Sequence, residues 1–128
     1  MRVLLDTHAF LWWNLGDRRL SSKARRIMAD PANTLCLSVA TALEIAIKVR
    51  LGKLRLPSNS ATYVQNSAAL DRMEIVPIRL EHAAALQTLP LLHRDPFDRM
   101  LIVQSQIEKL SILTADPEIR RYAVDSIW

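Results

Sequence analysis

Short apolar runs alternate along this chain with longer segments of helical periodicity, and that alternation restricts the fold more than any other feature. Arg2 to Leu5, Thr34 to Ser38, Glu74 to Ile78 and Ser111 to Thr114 have the length and apolar character of buried strands. Between them the spacing predicts helices. One starts at Asp6-Thr7 and runs through His8-Ala9-Phe10-Leu11-Trp12-Trp13. After a polar break at Asn14 to Arg19, Ser21-Ser22 caps a second helix, with Ala24, Ile27 and Met28 at helical spacing up to Asp30-Pro31. Thr41 to Leu51 carries Leu43, Ile47 and Leu51 at i, i+4 and i+8, with Gly52 as its C-cap. Further helices are expected from about Ser60 to Arg72, from Glu81 to Leu89 before Pro90, and from Arg99 to Lys109. A last short one begins at Asp116-Pro117, ahead of Val124 to Ile127. Strands separated by helices imply an α/β sandwich with a largely parallel sheet, because parallel neighbours need crossover connections.

Half of the 128 residues are apolar and only two are glycine, so one domain spanning 1–128 can bury a continuous core without disulfide or metal staples. The single cysteine, Cys36, lies within an apolar run and reads as a small buried hydrophobe. No stretch reaches membrane-spanning length, and a reducing cytoplasmic setting is expected. Seventeen Lys and Arg against thirteen Asp and Glu give a net charge of +4, compatible with a polyanionic partner. The basic residues gather at Arg18 to Arg26, at Lys48, Arg50, Lys53 and Arg55, and at Arg120-Arg121; each group also suits an ordinary solvated face.

Ligand sites of parallel sheets lie beyond the strands' C-terminal ends, and Asp6 and Asp116 both fall there. Helix capping alone accounts for several acids: Asp95 precedes Pro96, Asp98 follows three residues on, and Asp116 precedes Pro117. Glu44, between Leu43 and Ile45, is different. A buried carboxylate there needs a partner, either Lys48 at i+4 or a cation. If Asp6, Glu44, Asp98 and Asp116 converge, their repulsion calls for a hard divalent ion. All-oxygen ligation is the Mg²⁺ or Mn²⁺ pattern, and His8, His82 and His93 show no zinc spacing. Phosphodiester hydrolysis in a nucleic acid is the chemistry such a cluster on a basic protein suits.

Four blocks in order carry a resemblance: Leu4-Leu5-Asp6-Thr7-His8; Glu44 to Lys48 with Gly52-Lys53-Leu54; His93-Arg94-Asp95-Pro96-Phe97-Asp98-Arg99-Met100-Leu101-Ile102; and Leu113-Thr114-Ala115-Asp116. The chain resembles the PIN domain family, and within it the VapC-type toxins of toxin–antitoxin pairs. The resemblance implies a PIN-like three-layer sandwich with a central, mainly parallel sheet flanked by helices. It implies a Mg²⁺- or Mn²⁺-dependent endoribonuclease leaving 5′-phosphate and 3′-hydroxyl ends, with Asp6 and Asp98 as main ligands and Glu44 and Asp116 completing the catalytic pocket. Thr7 or Thr114 would orient a carboxylate, with Asp95 a subgroup feature. It also implies a homodimer held inactive by a cognate antitoxin, to which the apolar run Phe10 to Trp13 would contribute.

Arg99 and the Lys48 to Arg55 group are candidates for RNA phosphate contacts, and Arg99 alternatively orients Asp98. Haloacid-dehalogenase-like phosphatases need a second Asp two residues after the first, where this chain has His8; the Asp pair and lysine of receiver domains are missing too. A PIN-fold module that binds RNA or protein without cutting is the remaining alternative.

Overall fold

The computed structural model describes residues 1–128. Five strands, β1 (Arg2–Leu5), β2 (Thr34–Ser38), β3 (Glu74–Val76), β4 (Ser111–Leu113) and β5 (Ser126–Ile127), form one sheet of order β3-β2-β1-β4-β5, every neighbouring pair parallel. The helices are α1 (Thr7–Leu15), α2 (Ser22–Ala29), α3 (Val39–Arg50), α4 (Ser60–Leu70), α5 (Leu80–Ala85) and α6 (Pro96–Glu108), followed by a 3-10 turn at Ile119–Arg121.

Alternation along each strand sorts its side chains onto the two faces. Val3, Leu5, Leu35, Leu37 and Leu113 pack against Phe10 of α1, Met28 of α2, Ile45 of α3 and Val64 of α4. Leu4, Cys36, Val76 and Ile112 face the other way, onto Met100 to Val103 of α6, Ile119 and Tyr122. Apolar side chains on both faces, each covered by helices, explain why the strands read as unbroken apolar runs.

Several element boundaries differ from the sequence expectation; α5 ends at Ala85 rather than Leu89, α4 at Leu70 rather than Arg72, and the last turn begins at Ile119 rather than Asp116. Helix α6 begins at Pro96 rather than Arg99, because Asp95 caps it by accepting from the Phe97 and Asp98 N–H groups at 2.9 and 3.0 Å. Helix α3 begins at Val39, with the Ser38 hydroxyl accepting from Ala40 N–H at 2.9 Å. Strand β3 ends at Val76, since Pro77 has no N–H to continue the ladder.

The periodic apolar stripe of α3 is not the face it buries. Leu43, Ile47 and Leu51, the periodic apolar set, are exposed, while Ala40, Thr41, Glu44 and Ile45 are buried.

The chain leaves β1 towards β2 and β3, then crosses back on the other face to β4 and β5 on β1's far side. That reversal opens a crevice at the C-terminal ends of β1 and β4, where parallel sheets place their ligands.

Candidate acidic active site

Asp6 follows the last residue of β1 and caps α1, its Oδ1 accepting from Ala9 N–H at 2.7 Å. Backbone geometry thus holds the carboxylate at the C-terminal end of the central strand, and Gly16, in the left-handed region at φ 62°, closes α1 at its other end. Asp116 lies beyond β4 on the neighbouring strand's connection, its N–H bonded to Thr114 Oγ1 at 3.0 Å and its Oδ1 accepting from Glu118 N–H at 2.9 Å. Asp98 stands in the first turn of α6, and Glu44 projects from α3.

These four acids converge. They line one cavity of about 60 Å³ with Thr7, His8, Lys48 and Asp95, and no apolar side chain contributes to it. A larger hollow of about 560 Å³, mostly apolar, lies between α3, α4 and the β2–β3 edge, but no acid lines it. Its walls offer nothing to hold a cation.

Glu44 is 4% exposed, and both of its oxygens are engaged: Thr7 Oγ1 donates to Oε1 at 2.7 Å and Lys48 Nζ to Oε2 at 2.5 Å. Lys48 is the cavity's only lysine or arginine. The partner required by a carboxylate buried in a helix is thus a hydroxyl and an ammonium of this chain, set by Thr41, Glu44 and Lys48 on one stripe of α3 facing Thr7.

The electrostatics are those of crowded anions. Burial, then the charge of neighbouring Asp95, pushes the Asp98 carboxyl up to about 7; His93 opposes the rise, and Asp116 and Glu44 add to it. Burial raises Asp6 as well, against the Thr114 hydroxyl and the Ala9 N–H, which favour the anion. Nowhere among the four do three carboxylate oxygens lie within 4.8 Å of one another, the spread expected of like charges.

The donor set fits a hard divalent cation. It is almost entirely oxygen, from several elements of the fold, with neither the cysteines nor the paired histidines of a zinc centre.

Of the supporting residues, Thr7, Asp95 and Thr114 stand where a sequence reading places them, beside Glu44, on the cavity wall and beside Asp6. Arg99 does not. Its guanidinium turns away from the acids and is buried, Nη1 donating to Pro90 O at 2.7 Å and Tyr122 Oη at 3.0 Å, Nη2 to Leu89 O at 3.2 Å. It makes no hydrogen bond to Asp98 and does not lie open to a phosphate; it ties the α5–α6 loop to the core. Cys36 is fully buried and its thiol is pushed up to about 11 by burial, as suits a core side chain.

Two histidines of the motif blocks, given no role by the sequence reading, also reach the site. His8 is exposed at the cavity mouth and stacks on Trp12, with centroids 5.4 Å apart. His93 donates or accepts at 3.2 Å from Asp98 Oδ2, across a loop that no helical spacing relates to α6.

Glu81, His82 and Glu108 do bring three ligand atoms within 4.8 Å of one another. His82 Nδ1 accepts from Arg79 N–H at 2.9 Å, so the ring proton sits on Nε2, 2.9 Å from Glu108 Oε1. A metal at Nε2 would force a proton onto Nδ1 against that N–H. His82 is therefore a helix-capping residue of α5, its other ring nitrogen held by Glu108.

Beside the acid cavity runs a groove of about 240 Å³ that shares Thr7, His8 and Lys48 with it. Leu11, Trp12, Leu15, Leu54, Leu56 and Tyr63 line it together with Arg19, Lys53 and Arg55, and no acid does.

Comparison with known proteins agrees with this architecture. Ribonuclease VapC16 of Mycobacterium tuberculosis is 42% identical over 62 residues, spanning 48% of this chain and 43% of that protein, so the match takes in less than half the relative's length. The fold is that of VapBC2 from Rickettsia felis, solved bound to a DNA fragment from its promoter (TM-score 0.70, 13% identity, covering 99% of this chain and 98% of that one). It is also that of a toxin–antitoxin complex from Klebsiella pneumoniae (TM-score 0.63, 16% identity, 98% and 96%). With acids from four separate segments gathered at the topological reversal of an all-parallel sheet, and the PIN domain family model matching residues 3–125, this chain belongs to the PIN domain family.

Proposed function

We propose that this chain is a metal-dependent endoribonuclease of the VapC type. The observation that carries the reading is the small all-polar cavity into which Asp6, Glu44, Asp95, Asp98 and Asp116 converge on a protein of net charge +4.

Asp6 and Asp98 would hold Mg²⁺ or Mn²⁺, with Glu44 and Asp116 completing the set directly or through water. When bound, the ion supplies a water activated for attack and neutralises charge building on the phosphodiester. The chain's own residues prepare the site. Thr7 fixes one Glu44 oxygen, the Ala9 N–H fixes one Asp6 oxygen, and Lys48 puts a positive charge at the cavity wall where a phosphate would arrive. Lys53 and Arg55 extend that charge along the adjoining groove, whose apolar floor suits the side chains of a proteinaceous inhibitor, the antitoxin. The exposed stripe Val39, Leu43 and Ile47 on α3 supports a homodimer.

The test is cleavage of a panel of structured RNAs with Mn²⁺, with Mg²⁺ and with chelator, followed by end mapping. Metal-dependent cuts with 5′-phosphate ends are expected. Asp6→Asn should lower the rate at least about 100-fold while melting as the parent does, because Asn still caps α1 but ligates poorly; Asp98→Asn, the same size and at a position where Asp95 supplies the cap, should lower it as much. RNA binding without cleavage under every metal would make the chain a non-catalytic PIN module instead.

A further inference from the structure

The loop that precedes α6 carries a histidine to which the acid cluster gives no role, and its hydrogen bonds are unusually determinate. Tyr122 is buried against α6, and three donors converge on its phenol oxygen: Leu92 N–H and His93 N–H at 3.2 Å each, and Arg99 Nη1 at 3.0 Å. A phenol oxygen so surrounded has only its own proton left to give, and the nearest acceptor is His93 Nδ1 at 2.8 Å. Nδ1 is then an acceptor, so the ring's proton lies on Nε2. That nitrogen is 3.2 Å from Asp98 Oδ2, and no other group of the chain hydrogen-bonds the Asp98 carboxylate.

We propose that His93 is the positioning residue for Asp98: the Arg99–Tyr122 pair fixes its tautomer, so that Nε2–H holds one carboxylate oxygen in place and aims the other at the cation. The inference rests on the reading of Asp98 as a metal ligand. Arg99 gains a role by this route. It acts on the site through Tyr122 and His93, from the side of the helix opposite the acids.

Partners of this kind fix the orientation and basicity of a ligating group, and removing one commonly costs about 10- to 100-fold in metal affinity. Mn²⁺ affinity of the whole protein, measured calorimetrically without RNA, is the direct readout. His93→Leu, similar in bulk but without a donor, should bind Mn²⁺ about 10- to 100-fold more weakly than the parent. His93→Gln, which keeps an N–H in reach of Asp98, should bind close to parental strength. A His93→Leu variant of parental affinity overturns the proposal, and so does a His93→Gln variant as weak as the leucine one. Long-range proton–nitrogen correlation spectra of the unmutated, metal-free protein test the tautomer without any variant. A protonated Nε2 and a bare Nδ1 are expected at His93, and the reverse assignment overturns the relay. A parent protein that takes up no Mn²⁺ removes the ligand role of Asp98 itself, a separate failure visible before any variant is made.

Discussion

Asp95 shows how one carboxylate serves two purposes. Its Oδ1 accepts from two backbone N–H groups at the start of α6, and the same side chain forms part of the cavity wall. Asp95→Ala should cost about 1 kcal/mol in urea unfolding, the usual worth of an N-cap, and Asp95→Asn much less. Asp98, three residues on, carries the pH dependence. Its carboxyl titrates near 7 in the metal-free fold, far above the unfolded value, so the native state holds the extra proton between about pH 4 and 7. The stability linked to this group is therefore complete below about pH 4 and is lost as pH rises through 7. A cation restores balance where the group is charged. The melting-temperature gain from Mn²⁺ should accordingly be larger at pH 8 than at pH 5.5, and equal gains at both would contradict the Asp98 assignment.

At the scale of elements, α3 and α6 mark where sequence reading succeeds and where it stops. Asp6 and Asp116 at strand ends and Asp95 and Asp98 at a helix start were legible, because those positions leave local signatures; that Glu44 would join them came only from the family resemblance. The facing of α3 was not legible. Its leucines and isoleucines recur at helical spacing, yet the fold buries the stripe carrying Thr41 and Glu44, since Thr7 and Lys48 satisfy the carboxylate there. Hydrophobic periodicity marks a face without saying whether core or partner covers it. Arg99 was misplaced for a similar reason: adjacency to Asp98 in sequence sends the two side chains to different faces of α6, and the carbonyls that bind the guanidinium lie in the preceding α5–α6 loop, where no helical spacing relates them to it. Arg99→Met should lower stability by about 2–4 kcal/mol, since it strips buried carbonyls of charge-assisted hydrogen bonds. The salt dependence of RNA binding should stay parental, whereas loss of Lys53 or Arg55 should flatten it.

For the whole molecule, a central, mainly parallel sheet was expected, but no order of its strands. The sheet proved wholly parallel, and which strand lies at its centre depends on crossovers that no local pattern encodes. The exposed stripe on α3 predicts association: Leu43→Glu should convert a dimer to a monomer in light scattering after size exclusion, with melting temperature little changed because Leu43 is half exposed. A monomeric parent would remove the dimer from the proposed function.

The path of the chain through the sheet also sets a clock. Asp6 leaves the ribosome with the first strand, yet β4 and Asp116 emerge almost a full chain later, and at ~5–20 residues per second the interval is about 5–20 s. Throughout that interval the central strand has no neighbour on one side and the acids have no fourth member. The acid set is therefore complete only once β4 has docked beside β1, and any chemistry that needs all four of its members waits until then.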